Sequence, residues 1–124
     1  MTECISAEQL AAYRRTALAR EQARRQANAE RRIAALAAAR AAAALLREQY
    51  GATRVVLFGS AAHGYWFNEE SDIDLVAERI APDLFWRAWN AAEAIAAGFE
   101  LNLVAWEEAK PALREAIERE GILL

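Results

Sequence analysis

The sequence predicts an α+β domain, a small sheet with flanking helices, preceded by a long N-terminal helix or helix pair. Three observations carry this. Residues 7–49 contain neither proline nor glycine and are rich in alanine and arginine, both strong helix formers. Three short stretches, 53–58, 71–77 and 99–106, are β-branched and apolar or alternate as strands do. Between the last two, and again at the C-terminus, lie stretches with helical spacing opened by proline and closed by glycine.

In chain order, "SAEQ" at 6–9 has the form of a capping box, a serine oxygen for the first free amides and a glutamine that reaches back. A helix is expected from there to the stop signal at Gly51. As one rod it would span roughly 65 Å, so it either projects from the domain or breaks near residues 26–30. Leu36, Ala43 and Leu46 are its expected contacts with the sheet, whereas residues 6–32 hold too few large apolar side chains to pack within the chain. "TRVVLF" at 53–58 reads as a buried strand, and "SDIDLVA" at 71–77 and "FELNLVAW" at 99–106 as half-buried ones. The helix after Pro82 places Leu84, Phe85, Trp86, Trp89 and Ile95 mainly on one side, and the four tryptophans, Trp66, Trp86, Trp89 and Trp106, are assigned to the core. Pro111 opens a last helix, which Gly121 ends before the tail "ILL". Two segments follow: an N-terminal helical arm, 1–50, and a domain, 51–124, compact with the end of the arm.

The chain of 124 residues suits one hydrophobic core. Its single cysteine, Cys4, excludes a disulfide framework or a cysteine-rich zinc site. Neither a membrane-length apolar run nor a secretory signal pattern is present, so a cytoplasmic protein is expected. Net charge is −3 but two-sided: residues 1–50 carry nine arginines against five glutamates, and residues 51–124 carry six basic and thirteen acidic groups. Arginines interleaved with glutamate and alanine read as a solvated helix face, which argues against nucleic-acid binding as the main role.

The chemistry concentrates in "FGSAAHGYWFNEESDIDLVAE", residues 58–78. Residues two apart on a strand point the same way, so Asp72 and Asp74 share a face about 7 Å apart along the chain. Two carboxylates aimed at one point call for a cation, and magnesium suits hard oxygen ligands and brings phosphate oxygens with it. Gly59 and Ser60 follow a buried strand and open a short helix, where free amides and the positive dipole end attract an anion. His63, one turn on, and the aromatic trio Tyr65, Trp66 and Phe67 stand nearby.

The stretch "GSAAHGYWFNEESDIDL" resembles the signature of the DNA polymerase beta-like nucleotidyltransferases, and the short chain looks like the minimal nucleotidyltransferases of prokaryotes, typically encoded beside HEPN proteins as antitoxin and toxin. The resemblance covers residues 55–124. It implies a polymerase beta-like fold with a small mixed sheet, and transfer of a nucleoside monophosphate, AMP from ATP, to a hydroxyl, a tyrosine of a partner HEPN ribonuclease. Gly59, Ser60, His63, Gly64 and Ser71 would then hold the nucleotide, and Asp72 and Asp74 the Mg2+ ions. The superfamily's third carboxylate falls here on Asn102, in "LNLV". An amide has no charge and accepts no proton. Three explanations stay open: decay to a binding module that neutralises its partner without transfer, replacement by Glu100 two residues earlier, or an introduced Asp→Asn change. A drug-modifying acceptor pocket would need more chain than follows Asn102. A partner held through the N-terminal helix, a HEPN toxin or a second copy, completes the expectations.

Overall fold

A computed structural model describes residues 6–64 and 67–124. The first helix, α1, runs unbroken over Ala7–Tyr50, 44 residues or about 66 Å. Ser6 Oγ accepts from the Gln9 amide at 3.1 Å and Gln9 Oε1 from the Ser6 amide at 3.0 Å, so the capping box is formed. Gly51, at φ 74°, ends the helix with its N–H on the Leu46 carbonyl. The break considered near 26–30 does not occur. That segment holds no helix breaker, and side chains bridge its turns: Gln26 donates to Glu30 at 3.1 Å, and Glu21 pairs with Arg24 and Arg25.

Strand β1 (Arg54–Phe58) leads into the single-turn helix α2 (Ser60–His63), and β2 (Ile73–Glu78) returns beside it. A 3₁₀ turn, Pro82–Leu84, introduces α3 (Phe85–Ile95); β3 (Leu101–Ala105), a second 3₁₀ turn, α4 (Pro111–Glu120) and β4 (Ile122–Leu123) follow. The sheet order is β3-β2-β1-β4, with β1 antiparallel to β2 and β4 and β2 parallel to β3. The mixed, four-stranded sheet matches the predicted class. The apolar tail forms β4, a strand not foreseen, in which Leu57 pairs with Ile122 and Val56 with Leu123.

Strand alternation divides the core. Val55, Leu57, Ile73, Leu75, Leu101 and Leu103 pack beneath α1 and α3, and Val56, Val76 and Val104 face Ile117 and Leu113 of α4. Ala43 and Leu46 of α1 are fully buried and Leu36 packs against them, as expected. In α3 the expectation is corrected in part: Phe85 and Trp89 are half-buried against the core as expected, but the fully buried positions are Ala88 and Ala92, followed by Ala96, while Trp86 is 68% and Ile95 47% exposed. The cause is close packing of α3 against α1, whose own contact residues Ala35, Ala39, Ala42 and Ala43 are also alanines and leave no room for an indole. Trp86 instead stacks on Trp89, centroids 5.1 Å apart. Trp89 Nε1 donates to the Leu101 carbonyl at 2.7 Å, and the guanidinium groups of Arg54 and Arg114 both lie over the Trp106 ring, 4.3 and 4.9 Å from its centroid. Trp66 and Tyr65 lie outside the described residues, and Phe67 is buried.

Candidate active site

Asp74 and Asn102 are direct partners in the parallel pairing of β2 and β3, and Asp74 is also paired with Phe58 of β1. Strand alternation puts Asp74 on the face of Val76 and Asn102 on that of Val104, the side covered by α4 farther along the sheet. Asp72 immediately precedes β2. Neighbouring strands are only about 4.8 Å apart, so the three side chains are brought together by sheet geometry alone. Asn102 Nδ2 lies 3.1 Å from Asp74 Oδ1 and 3.4 Å from Asp72 Oδ2, donating to both carboxylates.

Asp74 is half-buried, and its carboxyl is held above the usual carboxylate value. Burial is the main cause; the Asn102 amide opposes it and the nearby Asp72 charge reinforces it. A cation between the two carboxylates would offset the cost of charging the half-buried Asp74. The donors suit a hard divalent ion: two converging carboxylates, with an amide whose Oδ1 would face the same point if the group turned over. Asp72 and Asp74 would hold it. Among the described residues no three Asp, Glu, His or Cys side chains gather closely enough to share one ion. Glu100 lies just before β3, where its carbonyl accepts from the Ile73 amide at 2.9 Å.

Gly59 closes the site from the β1 side. Its backbone, φ 74° and ψ −159°, is one that side chains rarely permit, and a methyl carbon there would stand 2.5 Å from Asp74 Oδ2. Glycine thus serves two ends: it turns the chain from β1 into α2 and lets that turn lie against the carboxylate. The Gly59 carbonyl accepts from the Ala62 and His63 amides, and Ser60, half-buried, begins α2. Gly64, at φ 79°, caps α2 with its N–H on the Ser60 carbonyl at 2.8 Å. Ser71 is engaged in its loop, where its hydroxyl accepts from the Asn68 amide at 3.0 Å while the Asn68 side chain accepts from Glu70.

One contributor escaped the sequence reading. Arg32 of α1 donates from Nε to the Ala61 carbonyl at 3.0 Å and from Nη2 to the Ala62 carbonyl at 2.8 Å. Its only signal in the sequence is its position one turn before the buried alanine stretch.

Comparison with known proteins agrees with this geometry. The profile of the nucleotidyltransferase domain family matches residues 40–124. A solved structure assigned as a minimal nucleotidyltransferase is 33% identical, with TM-score 0.59, over 71% of this chain and 90% of that one. A toxin–antitoxin structure with AMP-PNP matches at 22% identity and TM-score 0.55, over 65% of this chain and 67% of that one. A complex of a tri-AMPylated Shewanella oneidensis HEPN toxin with its MNT antitoxin matches at 18% identity and TM-score 0.54, over 71% of this chain and 69% of that one. No curated protein matches the chain. The paired aspartates, the glycine turn against them and the family match together place this chain in the nucleotidyltransferase domain family, with the polymerase beta-like fold.

Proposed function

We propose that this chain is an antitoxin of the minimal nucleotidyltransferase type, which transfers AMP from ATP to a hydroxyl, a tyrosine, of a HEPN-type toxin. The observation that carries the reading is the convergence of Asp72 and Asp74 beside the Gly59–Ser60 turn. The AMP-PNP and tri-AMPylated toxin complexes among its structural neighbours support the choice of nucleotide and acceptor.

In this mechanism the backbone amides of the Gly59–Ser60 turn and the Ser60 hydroxyl grip the triphosphate, with His63 and Gly64 at the far end of the same turn. Asp72 and Asp74 would hold magnesium, which would supply neutralisation of the phosphate oxygens and stabilisation of the entering and leaving oxygens. The acceptor oxygen forms a bond to the α-phosphorus as the bond to pyrophosphate breaks. The hydroxyl proton leaves to solvent, because Asn102 accepts none. The exposed side chains of the arm, Tyr13 and Leu18 among them, offer a surface for the partner.

A second reading rests on one observation. Asn102 occupies the sheet position paired with Asp74, where a third carboxylate would serve as base, and this favours a module that neutralises its partner by binding, with weak or no transfer. The test incubates the protein with magnesium, ATP labelled at the α-phosphate and the co-encoded HEPN protein. Label on the HEPN protein, lost in Asp74→Asn, supports transfer. Magnesium-dependent ATP binding without label supports the binding module, and no ATP binding overturns the transfer reading.

A further inference from the structure

We infer that Arg32, on the long helix, is a positioning residue that holds the Gly59–Ser60 turn in its nucleotide-gripping shape; this rests on the function proposed above. Helix α2 is a single turn of four residues. So short a helix has no stability of its own, because nucleation costs more than one turn of hydrogen bonds returns. Its C-terminal carbonyls lack intrahelical partners, and Arg32 supplies a cation to two of them, Ala61 and Ala62. Hydrogen bonds from a charged donor are the stronger kind. The guanidinium also backs onto Gly64, where a methyl carbon would lie 3.0 Å from Arg32 Cζ, so the turn is seated directly on the arginine.

The seat fixes more than α2. Ala62 and His63 donate back to the Gly59 carbonyl, and Gly59 lies against the Asp74 carboxylate with no space for a side chain. A rotation of α2 about its C-terminal end would therefore move the phosphate-facing amides relative to Asp72 and Asp74. Arg32 prevents it from 29 residues away in sequence. The anchor is itself firm, because α1 is fully buried from Ala35 onward at the positions facing the sheet.

The test compares Arg32→Ala, Arg32→Gln and Arg32→Lys with the wild type and with Arg47→Ala. Arg47 is another α1 arginine, and it bonds to the Leu124 carbonyl away from the site. Hydrogen exchange is read at the amides of Ala62, His63 and Gly64, and affinity for magnesium-ATP by calorimetry. Losing two charge-assisted hydrogen bonds is expected to raise exchange at these amides, and the dissociation constant, about tenfold or more in Arg32→Ala. Arg32→Lys, which reaches one carbonyl, should recover part of both, and Arg47→Ala should alter neither. Unchanged local exchange, or unchanged ATP affinity, in a folded Arg32 variant overturns the inference. Arg32→Gln serves the same comparison if the alanine variant fails to fold. Failure of the wild type itself to bind magnesium-ATP overturns the proposed function and, with it, this role.

Discussion

Asn102 Nδ2 sits 3.1 Å from Asp74 Oδ1 and within 3.4 Å of Asp72 Oδ2, so one neutral amide bridges the two carboxylates of the site. It does, in part, what a cation would do. The change Asn102→Asp removes the bridge and adds a third negative charge. The variant should melt several degrees lower than wild type without divalent ions and gain more than wild type when magnesium is added, read by thermal unfolding across a magnesium series. Equal magnesium stabilisation of both would argue against a shared metal position.

Asp74 gives the site a pH dependence. Its carboxyl is raised above 3.8 by burial, so between that value and the raised one the folded protein keeps a proton that the unfolded chain releases. Stability falls as pH rises through this window, and at neutral pH the ionised Asp74 weakens the metal-free protein. Asp74→Asn should therefore melt higher than wild type at neutral pH, with the difference closing as pH falls below the window. The same variant should lose magnesium-dependent stabilisation.

Gly59→Ala combines an unfavourable backbone with a contact 2.5 Å from Asp74 Oδ2. The left-handed conformation alone costs about 1–3 kcal/mol. Denaturant unfolding should show at least that loss, and nucleotide affinity should fall. Because part of the cost is the collision with Asp74, the loss should be smaller in an Asp74→Ala background; additive effects would mean that the two residues do not meet.

Gly121 has an ordinary φ, yet a methyl carbon there would lie 2.5 Å from both the Ile117 carbonyl oxygen and Val56 Cγ1. It lets the tail enter the sheet as β4. Gly121→Ala should cost about 1–3 kcal/mol through overpacking, measured by denaturant unfolding, with the site residues unaffected in their hydrogen exchange.

The arm behaves differently. Every side chain from residue 6 to residue 20 is exposed. Removing residues 1–20 should shift the melting temperature by less than about 4 °C, the size of a change under 1 kcal/mol. A larger drop would show that these residues support the domain.

How far the fold was legible depended on how local its causes are. The capping box at Ser6, the stop at Gly51, strands β1 to β3 and the glycine turn are fixed by residues within a few positions of each other, and all could be read. The burial of α3 could be read only in part, because large apolar residues at helical spacing suggest a core face, which holds for Phe85 and Trp89, whereas the fully buried positions against the alanines of α1 are Ala88, Ala92 and Ala96. Strand β4 was hidden by its length of two residues. At the site, the residue types Gly59, Asp72, Asp74 and Asn102 were visible, and the strand order that brings Asn102 beside Asp74 was not. Arg32 was indistinguishable in sequence from the solvated arginines around it, since its role comes from a turn that the fold places against it.

The central claim is a nucleotidyltransferase site complete except for its third carboxylate. Its most direct test is mass spectrometry of the proposed HEPN partner after timed incubation with magnesium-ATP and either wild type or Asn102→Asp. Adenylyl groups should appear on a partner tyrosine, and the aspartate variant should add them about 10²-fold faster or more, the usual contribution of a positioned base. Absence of adenylylation by both proteins, with ATP bound, would contradict the account.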